Sequence, residues 1–161
     1  VVAIVIADAS PLIALARVNG IVWLQDLFGE VVVTTVELRE VLTGRFPESE
    51  APIETALAAG WLKSVAAEMA DPALPDLDEG EAASIRLALA QSFGIRLAGT
   101  AAVIGMARQR GLIPSAKAVF AQLHASDFRI APAVIHAVLD RCGESVKGCR
   151  HQAHILGGLV A

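Results

Sequence analysis

The sequence predicts an α/β fold, a parallel sheet with helices on both faces. Three observations predict it. The chain opens on a continuous apolar run, VVAIVIA, rich in β-branched residues and without polar alternation, which is the pattern of a parallel strand covered on both sides. Helix-type segments separate that run from further short strand-type stretches, and strands that alternate with helices are joined by parallel, right-handed crossovers. The composition supplies one core: 161 residues, 55 % hydrophobic and only 4 % aromatic, favour a single domain of ordinary size.

The elements follow in order. Ser10 is a good N-cap and Pro11 suits the first helical position, so a helix runs from Leu12 to Val18 and closes at Asn19-Gly20. Val22 to Phe28 is a second helix, ended by Gly29, and EVVV (30–33) is the next strand. Thr34 and Glu37 have capping-box spacing, which starts a helix that reaches about Leu42 and stops at Gly44. RFPESEAP (45–52) is a polar, Pro-containing loop. Ile53 to Ala59 is helical, Gly60 ends it, and WLKSV (61–65) is a strand. DPALPD is a Pro-rich loop, after which Asp78 and Glu81 open the helix EAASIRLALAQ. IRLAGT is a short strand, TAAVIGMARQRG and Ser115 to Ala125 are helices, DFRIAP is a loop, and Ala133 to Arg141 is the last helix. Residues 143–161 show no periodicity and read as a tail.

Charge and cysteine usage exclude some functions. A net charge of −4 argues against a cationic nucleic-acid scavenger, but leaves room for an acidic site that holds metal ions. Cys142 and Cys149, both near the C-terminus, do not form a secreted-type disulfide framework. No apolar run reaches the roughly 18 residues of a membrane helix, and VVAIVIA lacks the length and basic flank of a signal peptide, so the expectation is a soluble, cytoplasmic protein.

The acids fall at suggestive places. In parallel α/β sheets, sites form at the carboxyl ends of strands, and Asp8 ends the first one. An Asx turn into the next helix explains Asp8 equally well. Glu37 has its explanation as a capping-box acid; Glu40, one turn further beside Val36 and Val41, has none and on its own reads as a solvated surface residue. Asp78, Glu79 and Glu81 cluster at a helix start, where capping and the helix dipole account for them. What favours a site is that three separate segments each bring an acid to a strand end or helix start. Carboxylates gathered without cations repel, and a divalent metal resolves that repulsion; hard oxygen donors suit Mg²⁺ or Mn²⁺.

IVIADASPLIAL, VVVTTVELREVL and LDEGEAASIRLAL, followed by GIRLAGTAAVIGMARQRGLIP and FRIAPAVIHAVLDRCGE, resemble the PIN-like nuclease superfamily, in a prokaryotic branch related to VapC-type toxins. The resemblance spans about residues 3 to 144 and rests on the order and spacing of several segments. It implies a three-layer α/β/α sandwich around a parallel sheet, with the PIN-like domain over 1–144 and a C-terminal tail over 145–161. It also implies an acidic pocket that binds Mg²⁺ or Mn²⁺ and cleaves RNA. Asp8, Glu40 and Glu81 match the first, second and third family acids, with Asp78 as a further metal ligand and Ser10 as a small polar residue beside the first. An RNA substrate, an antitoxin protein and a homo-oligomer are the implied partners. The chain departs from the pattern at Gln91, Ser92 and Phe93, which join directly where family members carry a strand ending in a fourth acid and then a short helix. Either that segment is missing from the chain as read, which is the preferred explanation, or the protein lacks it and its catalysis is impaired. The fourth acid has no counterpart here.

Alternatives remain open at this stage. One keeps the fold as a non-catalytic PIN-like module that binds a partner protein. Another is a phosphohydrolase with an aspartyl nucleophile, but that chemistry needs a second Asp two residues after Asp8, where Ser10 stands. Arg108 and Arg110 offer an RNA-binding patch, though a plain solvated helix face explains them better. Cys142, Cys149, His151 and His154 do not have a recognised zinc spacing, and His124 and His136 read as surface or packing residues on helices.

Overall fold

The computed structural model describes residues 5–6, 9–66, 96–97 and 99–144, with the backbone alone described for Val5–Ile6 and Arg96–Leu97. β1 (Val5–Ile6) leads to α1 (Ala9–Arg17) and α2 (Ile21–Phe28). β2 (Val31–Thr34), α3 (Thr35–Val41) and α4 (Pro47–Ala58) follow, then β3 (Leu62–Val65). The second half carries β4 (Arg96–Leu97), α5 (Thr100–Gln109), α6 (Ala116–Ala125) and α7 (Pro132–Arg141). The predicted loop DPALPD and helix EAASIRLALAQ lie outside the described residues.

The four strands form one parallel sheet in the order β3-β2-β1-β4. Val5 pairs with Val31 on one side and with Arg96 on the other. Successive residues of a strand face opposite sides, so burial of all four β2 residues means that both faces are covered there. β3 lies at an edge: Leu62 is buried but Lys63 and Ser64 are exposed, and Lys63 Nζ meets Glu30 Oε2 at 2.7 Å. A charged lysine on an edge strand discourages pairing with another chain.

The core gathers Leu12 and Leu15 of α1, Leu24 of α2, Val31 and Val33 of β2, Ile53 of α4, and Val103 and Ile104 of α5. Each large aliphatic side chain buried here contributes roughly 1.5–3 kcal/mol. α1 buries Ala9, Ala14 and Ala16 beside its leucines, which lets neighbouring helices approach closely. On α5, a Cβ at Gly105 would stand 3.0 Å from Val138 Cγ1, so the glycine sets how near α7 packs.

Three expectations need correction. α1 already includes Ala9 and Ser10, so Ser10 is a first-turn residue and not the residue before the helix. Pro11 still fits, because a proline in the first turn has no intrahelical N–H bond to lose. The stretch 45–52 is not a loop throughout: α4 begins at Pro47 and runs through Pro52. Pro47 sits at the helix start, where its fixed φ is favourable. The cost of Pro52 inside the helix is offset by burial of Ile53 and Ala56 and by a carboxylate cap, described below. The patternless stretch read over 143–161 starts too early: Glu144, the last residue of the implied 1–144 domain, is firmly anchored.

The local signals elsewhere hold. Asn19 takes φ 55° and Gly20 N–H bonds the Leu15 carbonyl at 2.7 Å, closing α1 in the left-handed manner that Asn-Gly permits. At α3, Thr34 N–H donates to Glu37 Oε2 at 3.0 Å and Glu37 N–H to Thr34 Oγ1 at 3.3 Å, completing the predicted capping box. Among the described residues, no helix is long and apolar enough to cross a membrane.

Candidate functional site

The sheet order singles out one place. From β1 the chain moves to β2 and β3 on one side, then returns to β4 on the other. The carboxyl ends of β1 and β4 therefore flank a topological switch point, where parallel α/β sheets open a crevice. α5 starts just after β4, with Gly99 as its N-cap residue and Thr100 buried.

Of the predicted acids, Glu40 lies within the described residues; Asp8, Asp78 and Glu81 lie outside them. Glu40 is exposed on the last turn of α3, and Ser10 is exposed on the first turn of α1. Glu37, by contrast, is 1 % exposed and committed to its cap. The two glutamates three residues apart have thus separated by role, one structural and one facing solvent.

Glu40 opens onto a cleft of about 510 Å³ between α1, α3, α4 and the turn after α6. Arg17 and Ile13 line it from α1, Val41 from α3, Phe46 and Ile53 from α4 and its N-cap, and Asp127 from the turn. Arg17 Nη1 donates to the Ser126 carbonyl, which fixes the guanidinium at the cleft wall.

A second glutamate in the cleft, Glu50, was not anticipated as important. It is 5 % exposed, and its carboxylate gathers three donors from the loop before α4. Gly44 N–H reaches Oε2 at 2.8 Å; Phe46 N–H and the Thr43 hydroxyl each reach Oε1 at 3.1 Å. Burial pushes the Glu50 carboxyl up, but the bonds from Gly44, Phe46 and Thr43 outweigh it, so its pKa lies below the ordinary value. Gly44 turns the chain there at φ 74°, a conformation that a side chain would strain. The sequence signal was available: Glu50 stands four residues after Phe46, within reach of the N-cap backbone, but the prolines obscured it.

Arg108 and Arg110 do not form a loose basic patch. Arg108 Nε meets Glu144 Oε1 at 2.6 Å, and Arg110 Nη1 donates to the Leu27 carbonyl at 3.2 Å. Glu144 also accepts from Ser115 Oγ at 2.9 Å and from Ala116 and Lys117 N–H at 3.0 Å each, at the start of α6. Burial opposes its charge, but the Lys117 and Ala116 amides, Arg108 and Ser115 bring its pKa down to about 2. Cys142 bonds the Gly105 carbonyl at 3.6 Å; burial and the nearby Glu144 charge push its thiol up, which makes it a poor nucleophile. His124 and His136 are exposed on their helices, and Cys149, His151 and His154 lie outside the described residues.

Comparison with known proteins decides what this frame is. The family model DUF3368, described as a PIN domain, matches residues 4–92 and 88–144. The chain belongs to this PIN-domain family. No curated protein and no solved structure matches it. The two PIN-domain matches meet at 88–92, where the sequence joins two segments that the resemblance separates by a strand and a helix. The 161-residue sequence is continuous through that point, so the preferred explanation of a merely missing segment gives way to direct joining of the two halves. All the predicted ligands of this PIN domain are carboxylates, without sulfur or imidazole, a donor set that fits a hard divalent cation. Among the described residues, no group of three ligand-type side chains gathers, Glu40 being the one predicted ligand within them.

Proposed function

We propose that this PIN domain is a metal-dependent endoribonuclease built as a three-layer α/β/α sandwich. The observation that carries the reading is membership of the PIN-domain family over most of the chain. The burial of both faces of β2 and the switch point between β1 and β4 support it. Asp8, Glu40 and Glu81 would hold Mg²⁺ or Mn²⁺, with Asp78 as a further ligand and Ser10 beside Asp8. When bound, the metal lowers the pKa of a water and offsets charge on the phosphate oxygens. The chain's own part is to bring carboxylates from separate segments together and to orient the attacking water. Glu40 contributes from an exposed position at a cleft, where a substrate can reach it. The setting is the cytoplasm, and the reading brings with it an antitoxin protein and self-association through apolar helix faces as partners.

The test is cleavage of single-stranded RNA in Mn²⁺. Asp8→Asn and Glu40→Gln should each lower the rate by about 10²-fold or more, and a chelator should abolish it. Equal residual cleavage in wild type and variants would sink the assignment. A second reading, a non-catalytic PIN-like module that binds a protein, is favoured by the direct join at 88–92. It predicts no metal-dependent cleavage by the wild type at all.

A further inference from the structure

The loop between α3 and α4 holds one aromatic ring out into solvent. Phe46 is 64 % exposed, more than any other large apolar side chain among the described residues. Its backbone is not loose: Phe46 N–H, Gly44 N–H and the Thr43 hydroxyl all converge on the buried Glu50 carboxylate. The ring therefore stands on a pinned N-cap residue, with only its side-chain torsions to settle. It borders the same cleft as Glu40 and Arg17, whose apolar lining is Ile13, Val41 and Ile53. The cleft's 510 Å³ falls within the roughly 300–1,000 Å³ of small-ligand sites.

The chemistry of the lining selects the occupant. Of the three carboxylates there, Glu50 is engaged by its three donors, whereas Asp127 is 94 % exposed, with Arg129 Nη2 4.0 Å away. The cleft thus offers an aromatic face, an apolar lining, the Arg17 guanidinium and, on the solvent side, the Glu40 and Asp127 carboxylates. That combination fits a flat heteroaromatic ring attached to a phosphate. A base within a duplex keeps both faces in the helical stack, whereas an unpaired base exposes them for stacking on protein aromatics. We propose that Phe46 is the stacking platform for an unpaired base of single-stranded RNA, seated beside Glu40, with Arg17 taking the adjacent phosphate. Only the consequence for cleavage rests on the ribonuclease reading; the binding does not.

The experiment measures binding of a short fluorescent single-stranded RNA in Ca²⁺, by anisotropy, beside the same strand annealed to its complement. Phe46→Ala should weaken single-strand binding about tenfold, in line with the loss of one stacked base, and leave duplex binding unchanged. Phe46→Leu, apolar but without a ring, should behave like Phe46→Ala. Phe46→Trp should keep wild-type affinity, and its indole emission should be quenched on RNA addition. Matching thermal midpoints for the three variants establish that folding is intact, and Phe46→Trp carries the test if the others fold poorly. Equal affinity of Phe46→Ala and wild type overturns the proposal, as does failure of the wild type to bind. Wild-type behaviour of Phe46→Leu also overturns it, since the ring would then be an apolar contact for a protein. Phe46-dependent binding without cleavage would sink the ribonuclease reading and leave the platform standing.

Discussion

The starts of α3 and α6 solve the same problem by different routes. At each, backbone N–H groups have no partner within the helix. At α3 the answer is local: Thr34 and Glu37 exchange hydrogen bonds three residues apart. At α6, Ser115 supplies a local part by accepting Ala118 N–H at 3.2 Å, and Glu144 supplies the rest from beyond the end of α7. The local cap starts one helix. The remote cap also ties α7 to α6 and, through Arg108, to α5. The difference separates a device for secondary structure from a device for tertiary structure that uses the same groups.

Three measurements would break or sharpen that contrast. The largest effect should come from Glu144→Ala, which leaves Arg108 and two amides without their acceptor; a loss of about 2 kcal/mol is expected in urea unfolding. A loss no greater than a surface mutation's would mean that the remote cap does not bind the helices together. Next is its pH dependence. The folded-state pKa of Glu144 is about 2 against an ordinary 4.5, so its contribution is complete above 4.5 and is lost as pH falls toward 2. Glu144→Gln should therefore flatten the fall of stability across that window; an unchanged acid limb would assign the fall to other carboxylates. The smallest effect is expected from Thr34→Val, about 1 kcal/mol, as for a lost N-cap. If it matched or exceeded Glu144→Ala, the ranking of remote over local caps would be reversed.

The same contrast explains how much could be read in advance. The strand EVVV, the Thr34–Glu37 box and the Asn19-Gly20 closure all depend on residues a few positions apart, and all were legible; the helix read from Ser115 onward uses that residue as its cap. The parallel sheet followed from alternation, although β2 lies one residue later than EVVV and β3 starts one residue after Trp61. α4 was misplaced because two prolines and two glutamates resemble a polar loop, while the compensating bonds converge on Glu50 only once the chain has turned at Gly44. Glu144 was unreadable for a stronger reason: nothing in its neighbourhood points to partners 27 to 36 residues earlier. In the candidate site, family resemblance singled out Glu40, since position alone made it an ordinary surface acid. Its cleft, and the exposed ring beside it, come from elements that do not adjoin in sequence.

The strand order has a further consequence, in time rather than in space. Val5 meets Val31 across a short stretch of chain, but meets Arg96 only across most of the domain. Closing the longer loop costs about 1 kcal/mol more in chain entropy, and contacts of such separation slow folding. During synthesis, the first three strands can assemble while the second half is still being made. The pairing of β1 with β4 cannot form before residue 97 has left the ribosome. A nascent chain therefore lacks that pairing, and the switch point beside it, until β4 has followed the first three strands.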